Sequence, residues 1–305
     1  LRDQVKVHGG TLLHNYAKPA IVWGHGIVMG GGLGILSACN HRVVTEKTRI
    51  SMPEVTIALF PDVGGSYFLN KMPGHCGRFL ALTAASINAA DSLYAGLADY
   101  FICHEQYGEL SELLLQLPWS GDKVDDDRLV SRAVNELHRT AIEHMPPGNL
   151  ESHQTQIDQL CVGDDVEMIA GRITELDADE KWLLKAKSGL SGGSPLAIKW
   201  IFKQLNLTKN LSLKDIFRSE LDDDLVSVFI GALKNQTQLV TVEEHSIGYK
   251  LNCPALISDL IMPLLSRFHS ETLDTFRQFS EYVDAFGGST DSLFLNAKGS
   301  NPVSQ

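Results

Sequence analysis

No apolar run in this chain approaches the ~20 residues that a helix needs to cross a bilayer, so no span of that kind is written in it. Positive charge is also scarce: 26 Lys and Arg stand against 37 Asp and Glu, a net charge of −11. That balance excludes a broad nucleic-acid or anionic-membrane surface but leaves room for a local basic pocket taking one phosphorylated ligand. Cysteine is thinly spread. Cys39, Cys76, Cys103, Cys161 and Cys253 form no C-x-x-C pair, so neither a zinc knuckle nor a redox motif is present, and they read as buried reduced thiols. The histidines show no H-x-x-x-H or H-E-x-x-H spacing, so the sequence asks for no metal. There is no G-K-[ST] phosphate loop, internal repeat or low-complexity tract. The N-x-S/T triplets at Asn206, Asn210 and Asn235 follow no secretory segment and read as chance. The opening "LRDQVKVHGG" is neither a signal nor a transit peptide, and a start at Leu1 reads as a fragment whose beginning is missing.

What is present is an ordinary globular composition, 44% hydrophobic and 21% charged over 305 residues, enough for one large domain or two. "KPAIVWGHGIV" reads as a strand, "GGGLGILSACN" as a small-residue helix, and "HRVVTE" and "TRIS" as short strands. "GGSYFLNKM" and "CGRFLALTA" form a helical pair broken at Pro73-Gly74, and "INAADSLYAGLADYFI" returns from helix to strand. The expected class is α/β over residues 1–105, followed by a helical region over 106–238 and a poorly patterned segment over 239–305 with a frayed end. Apolar steps in "ELSELLLQL", "RLVSRAVNELHRTAI", "ESHQTQIDQL" and "KWLLKAKSGL" are helical, and "SPLAIKWIFKQL" starts a helix with Ser and Pro. "PWSGDKVDDD" and "HMPPGN" read as solvated loops between them.

Two features carry chemistry. The first is the cluster Gly30, Gly31, Gly32 and Gly34 between strand and helix. Its G-x-G-x-x-G is broken at Met29, so phosphate cradling is a weak reading. Glycines there either allow a tight turn with close packing, or free helix N-terminal amides to donate to a developing oxyanion. The second is "SMPEVTIALFPDVGG", which sets Glu54 and Asp62 eight residues apart, each directly after a proline. The residue before a proline is pushed out of the helical region, so each acid lies just past an extended turn, where its side chain can point into a cleft. Asp62 can equally N-cap the following helix, and Glu54 can be a solvated loop acid. His25 in "WGHG" reads as a turn residue rather than a base.

Strand, "MGGGLG", "SMPE" and "FPDVGG", in that order, resemble the crotonase (enoyl-CoA hydratase/isomerase) superfamily, most closely its 3-hydroxyisobutyryl-CoA hydrolase branch. The resemblance is dense over residues 11–105 and looser to about 220. It implies a ββα spiral, here incomplete at its N-terminus, with a helical C-terminal region. It implies that an acyl-CoA carbonyl is held by the Gly31 amide beside Gly30, with Glu54 and Asp62 as the catalytic acids. Family hydratases carry one Glu three residues after the oxyanion glycine, where this chain has Gly34, and a second in P-E, which is Glu54. Asp62 stands where hydratases usually have glycine, and that combination is the hydrolase branch's.

The implied activity is hydrolysis of a short 3-hydroxyacyl-CoA, most of all 3-hydroxyisobutyryl-CoA in valine breakdown. Glu54 would serve as nucleophile or general base, and Asp62 would orient water or carry a proton to the leaving thiolate. CoA is then part of the substrate, with no further cofactor and no nucleic-acid or membrane partner. A homo-oligomer follows by analogy, as does a mitochondrial matrix location in a eukaryote or a cytoplasmic one in a bacterium. The alternatives are an enoyl-CoA hydratase or isomerase, and a truncated, catalytically impaired member. The family's A-G-x-D segment, which supplies the second oxyanion amide, is not found. The branch's substrate-contacting acid falls on Lys6, and its D-F-x-E-G-V-R-A segment does not align after "SELDDDLVSVF".

Overall fold

The computed structural model describes residues 13–57, 59–62, 64–221, 242–245 and 248–251. The stretch expected to be one strand is two, β1 (Ile21–Gly24) and β2 (Ile27–Met29). Between them the chain bends, with the His25 amide bonded to the Trp23 carbonyl at 3.1 Å and Gly26 at φ 69°. A positive φ costs glycine nothing, and it lets the two halves join different sheets.

The same division recurs one helix later. After α1 (Gly31–Ala38), β3 (His41–Val44) pairs in parallel with β1, and β4 (Arg49–Ser51) pairs in parallel with β2. The β3–β4 turn is held by Thr48, whose hydroxyl accepts from the Thr45 amide at 2.7 Å and donates to the Gly24 carbonyl. β5 (Tyr100–Phe101) completes the order β1-β3-β5. The central strand β3 buries residues on both of its faces, as parallel strands do. Val43 and Ile102 face Leu110, Val130, Val134 and Leu137, whereas Val44 and Phe101 belong to the main core with Leu33, Leu36, Ile50 and Phe79. Neighbours in sequence point to opposite sides, the period of two that a strand imposes.

Between β4 and β5 lie a short 3₁₀ turn (Glu54–Ile57), α2 (Gly65–Asn70), α3 (Cys76–Thr83) and α4 (Ala89–Tyr94). The α2–α3 break falls at Pro73-Gly74, as the sequence predicts, and a Cβ added at Gly77 would stand 1.9 Å from the Leu69 carbonyl oxygen. Only a bare backbone fits there. Asp91, fully buried, closes a capping box with Asn88 at the start of α4 and accepts from the Asn149 and Leu150 amides at 2.5 and 2.7 Å. It thereby fastens α4 to the start of α7 (Leu150–Cys161).

The remaining described helices are α5 (Tyr107–Gln116), α6 (Lys123–Ala141), α8 (Val166–Thr174), α9 (Lys181–Ser191), α10 (Pro195–Thr208) and α11 (Leu213–Leu221). Part of the expected "PWSGDKVDDD" loop is the first turn of α6. Asp122 caps it by accepting from Val124 and Asp125 amides, and buried Asp126 accepts from the Ser120 and Gly121 amides. Acids gathered at a helix start are stabilised by its unpaired amides, so a charge run that resembles a loop is the N-terminal signal. α10 starts with Ser194 accepting from the Ala197 amide and Pro195 in the first turn, as expected.

The chain divides into two compact units, Arg2–Phe217 and Arg218–Gln305. In the second, the described residues are the end of α11 and the antiparallel strands β6 (Val242–His245) and β7 (Gly248–Leu251). Lys6, Cys253, Asn235 and the end expected to be frayed lie outside the described residues.

Candidate active site

The site is built where α1 begins. Gly30 has φ 51° and ψ −125°, and its carbonyl accepts from the Leu33 and Gly34 amides at 3.0 and 3.1 Å. The helix thus starts at Gly31, and the amides of Gly31 and Gly32 precede any helical carbonyl that could take them. They lie at the positive end of the helix dipole. A small oxyanion placed there meets donors rather than side chains.

Glu54 opens the 3₁₀ turn after Pro53 and is 6% exposed. Its backbone is wrapped tightly: the Thr56 amide bonds to the Pro53 carbonyl, and the Leu59 amide to the Glu54 carbonyl, both at 2.9 Å. Its Oε1 lies 4.0 Å from the position a Cβ at Gly30 would take. The solvated-loop alternative for Glu54 is therefore not what the fold adopts. A buried carboxylate faces the glycine turn, and 24 residues of chain separate two groups that are now neighbours.

Asp62 is half-buried in the turn before α2, with its carbonyl accepting from the Gly65 amide at 2.9 Å. The N-cap of α2 is Gly64, at φ 80° and without a side-chain cap hydrogen bond. The N-cap position itself is thus held by Gly64, two residues after Asp62. Gly34 is buried one turn inside α1, where the chain offers no carboxylate. Gly30, Gly31 and Glu54 are brought together, and Asp62 sits on the turn that ends the segment Glu54 begins.

Sequence reasoning missed the elements that hold this segment. α10 runs along it: the Ser194 amide donates to the Val55 carbonyl at 2.9 Å, the Trp200 and Phe60 rings lie 5.7 Å apart, and Gln204 Nε2 donates to the Pro61 carbonyl at 3.2 Å. α11 closes over the other end, with the Phe217 ring 3.2 Å from where a Gly64 Cβ would stand. The available signal was a polar Gln204 in register with Ala197, Trp200, Ile201 and Leu205, the buried stripe of α10.

His25 occupies the β1–β2 bend, as the turn reading has it. Its Nδ1 is 3.0 Å from Thr45 Oγ1, and its ring stacks on His104 with centroids 3.8 Å apart. Partial burial first, then the charges of His104 and Lys47, lower its pKa below the usual 6.5, with Glu46 opposing them. A base whose pKa is depressed on folding takes up its proton more readily when unfolded, so its contribution is complete above 6.5 and is lost as pH falls through the folded value. Thermal unfolding followed from about pH 7 to about pH 5 is expected to show a shallower loss of stability in His25→Asn than in the native chain. Equal slopes would remove His25 from the account.

No described thiol is primed to compete as a nucleophile. Burial above all pushes Cys76 and Cys161 up to about 12, and it raises Cys39 and Cys103 as well. Among the described residues no group of three or more His, Cys, Asp or Glu side chains is arranged to hold a metal ion, and no helix is long and apolar enough to cross a membrane.

Residues 9–228 match the family model described as enoyl-CoA hydratase/isomerase. A mitochondrial 3-hydroxyisobutyryl-CoA hydrolase of Xenopus tropicalis is 34% identical over 67% of this chain and 52% of its own length. A small ribosomal subunit protein mS47 of Neurospora crassa is 29% identical over 68% of this chain and 43% of its own. Among solved structures, a carnitinyl-CoA dehydratase from Mycobacterium thermoresistibile superposes with a TM-score of 0.60 and 28% identity, over 77% of this chain and 65% of that one. The chain spans about half the length of the curated relatives it matches.

Proposed function

This chain belongs to the enoyl-CoA hydratase/isomerase (crotonase) family, and from that premise we propose that it is of the 3-hydroxyisobutyryl-CoA hydrolase branch and hydrolyses a short 3-hydroxyacyl-CoA thioester. Its fold is the crotonase α/β fold, with strand–strand–helix units followed by helices. The preferred substrate is 3-hydroxyisobutyryl-CoA, giving 3-hydroxyisobutyrate and CoA in valine breakdown. The observation that carries the reading is one buried carboxylate, Glu54, against the glycine turn, with Gly34 where a hydratase needs its second acid.

Hydrating a double bond requires acid and base over two carbons, whereas a thioester requires attack at one carbonyl carbon and a place for its oxygen. In the proposed reaction the thioester oxygen points at the Gly31 amide as negative charge develops. Glu54 attacks the carbonyl carbon, or takes a proton from the water that does. The C–S bond breaks, and the departing thiolate takes a proton, with Asp62 as its source or as the group that orients the water. Where Glu54 is the nucleophile, water then cleaves the Glu54 anhydride, releasing the acid and restoring the carboxylate. CoA is part of the substrate, and no further cofactor enters. The mitochondrial relatives support a matrix location if the source is eukaryotic, and a bacterial copy would be cytoplasmic. A homo-oligomer rests on family analogy alone.

The test follows free CoA release from 3-hydroxyisobutyryl-CoA, alongside enoyl absorbance of crotonyl-CoA. Thiol release without loss of enoyl absorbance is the expected result, and the converse would make the chain a hydratase. The relative that is a ribosomal protein favours a second reading, a member that binds or assembles without chemistry. Titration calorimetry with CoA separates it: a folded chain that takes up no CoA supports the second reading.

A further inference from the structure

A buried amide in an apolar stripe has to be accounted for. Gln204 is 2% exposed on the face of α10 that also buries Trp200 and Ile201. Sinking an amide costs roughly 1–3 kcal/mol unless it is hydrogen-bonded. Its donor goes to the Pro61 carbonyl, the peptide that leads directly into Asp62.

The rest of α10 shows that this contact is one of a set. The Ser194 amide holds the Val55 carbonyl, beside Glu54, and the Trp200 ring meets Phe60. Ser194 and Gln204 are ten residues apart, a helical rise of about 15 Å, so one rigid helix fixes both ends of the segment that carries the two acids. The helix is itself anchored, since Asn70 Nδ2 donates to the Leu205 carbonyl and to the Thr208 hydroxyl, at 3.0 and 3.2 Å. Packing alone would be satisfied by Met or Leu at 204. A directional bond to one carbonyl does what packing cannot, which is to fix the rotation of the Pro61–Asp62 peptide.

We propose that Gln204 is a positioning residue of the active site, setting the direction in which the Asp62 carboxyl leaves its turn. The role rests on the hydrolase reading of the same site, and it is tested in two variants of the full chain. Gln204→Met fills the space and removes the donor. Gln204→Glu keeps the shape but donates to the Pro61 carbonyl only while protonated. Two measurements are made: kcat and KM for 3-hydroxyisobutyryl-CoA across pH, and hydrogen exchange at the Gly65 amide, which bonds to the Asp62 carbonyl.

Gln204→Met is expected to speed Gly65 exchange about tenfold and to lower kcat about tenfold, the size of one lost hydrogen bond, with KM within about twofold and α3 amides unchanged. The kcat of Gln204→Glu relative to the native chain is expected to rise as pH falls. A simple packing defect would not produce that dependence. Native kcat in Gln204→Met, or a fall in kcat with unchanged Gly65 exchange, overturns the proposal. If the Met variant does not fold, the pH dependence of the Glu variant decides, and a flat ratio overturns it. Failure of the native chain to release CoA defeats the hydrolase reading instead, and Gly65 exchange then decides whether Gln204 holds the turn.

Discussion

Glu54→Gln is expected to lower CoA release from 3-hydroxyisobutyryl-CoA by about 10²–10⁴-fold, the usual worth of a positioned acid–base group, while leaving the fold intact. The substitution keeps the side chain's size at a site that is 6% exposed, so no cavity forms and no new volume enters. What changes is the ability to attack or to take a proton. The melting temperature is measured beside turnover, and a value close to the native one shows that the lost activity is chemical and not structural. Turnover by Glu54→Gln equal to the native rate would remove Glu54 from the mechanism. Turnover in ¹⁸O-water separates its two possible roles. A nucleophile forms an anhydride, and water attacking its Glu54 carbonyl leaves label in the protein, whereas a general base leaves label only in the product acid. Mass analysis of the peptide containing Glu54 reads the difference. Asp62→Asn, assayed beside it, should slow turnover by less than Glu54→Gln, since orienting water or supplying a proton leaves the attacking group in place.

How much of this was legible in the sequence differs from element to element. The start of α1 at the glycines, the Pro73-Gly74 break and the Ser194-Pro195 start of α10 were all local signals and were readable. The bend at His25-Gly26 was readable only in part, because Gly-His-Gly marks a turn but only the separate partners β3 and β4 show that it divides one expected strand between two sheets. The acids of α6 were ambiguous in kind: a charge run marks a loop or a helix start, and only the amides of Val124 and Asp125 decide. The same holds for Asp62, since local rules place an acid before a helix at the N-cap position, and only the backbone shows that Gly64, at φ 80°, occupies it.

The site itself is non-local. Prolines explain how Glu54 leaves its turn, but nothing in local pattern says that it meets Gly30, because that contact depends on β2 and β4 lying side by side. Only the family resemblance made the pairing visible in advance. The support from α10 was lost for a different reason, because a helix that reads correctly as a helix says nothing about what lies under its buried face. Gln204, with Thr208 one turn further on, marked that face as a polar group where the stripe is apolar.

Gly30→Ala is expected to reduce turnover nearly as far as loss of Glu54, and for a backbone reason. Space is not the obstacle, since a Cβ there would stand 4.0 Å from Glu54 Oε1, an ordinary contact. The conformation is: φ 51° with ψ −125° is a geometry that side-chain-bearing residues seldom adopt, and holding alanine in it costs about 1–3 kcal/mol. The turn can relieve that strain only by rotating the peptide that presents the Gly31 amide. An oxyanion donor moved out of line is worth about 10²–10³-fold in kcat. Gly32→Ala is the matched control, because a Cβ there meets nothing within 4 Å and its φ lies outside the positive range. Alanine also favours the helix by up to about 1 kcal/mol over glycine, so the control should melt at the native temperature or slightly above it. Its kcat should fall far less than that of Gly30→Ala. If both variants lose turnover equally, crowding at the mouth of the site is responsible. If neither does, the amide of Gly31 is not where the oxyanion forms. Loss confined to Gly30→Ala, with KM little changed, is the outcome expected of a turn whose geometry matters in the transition state more than in binding.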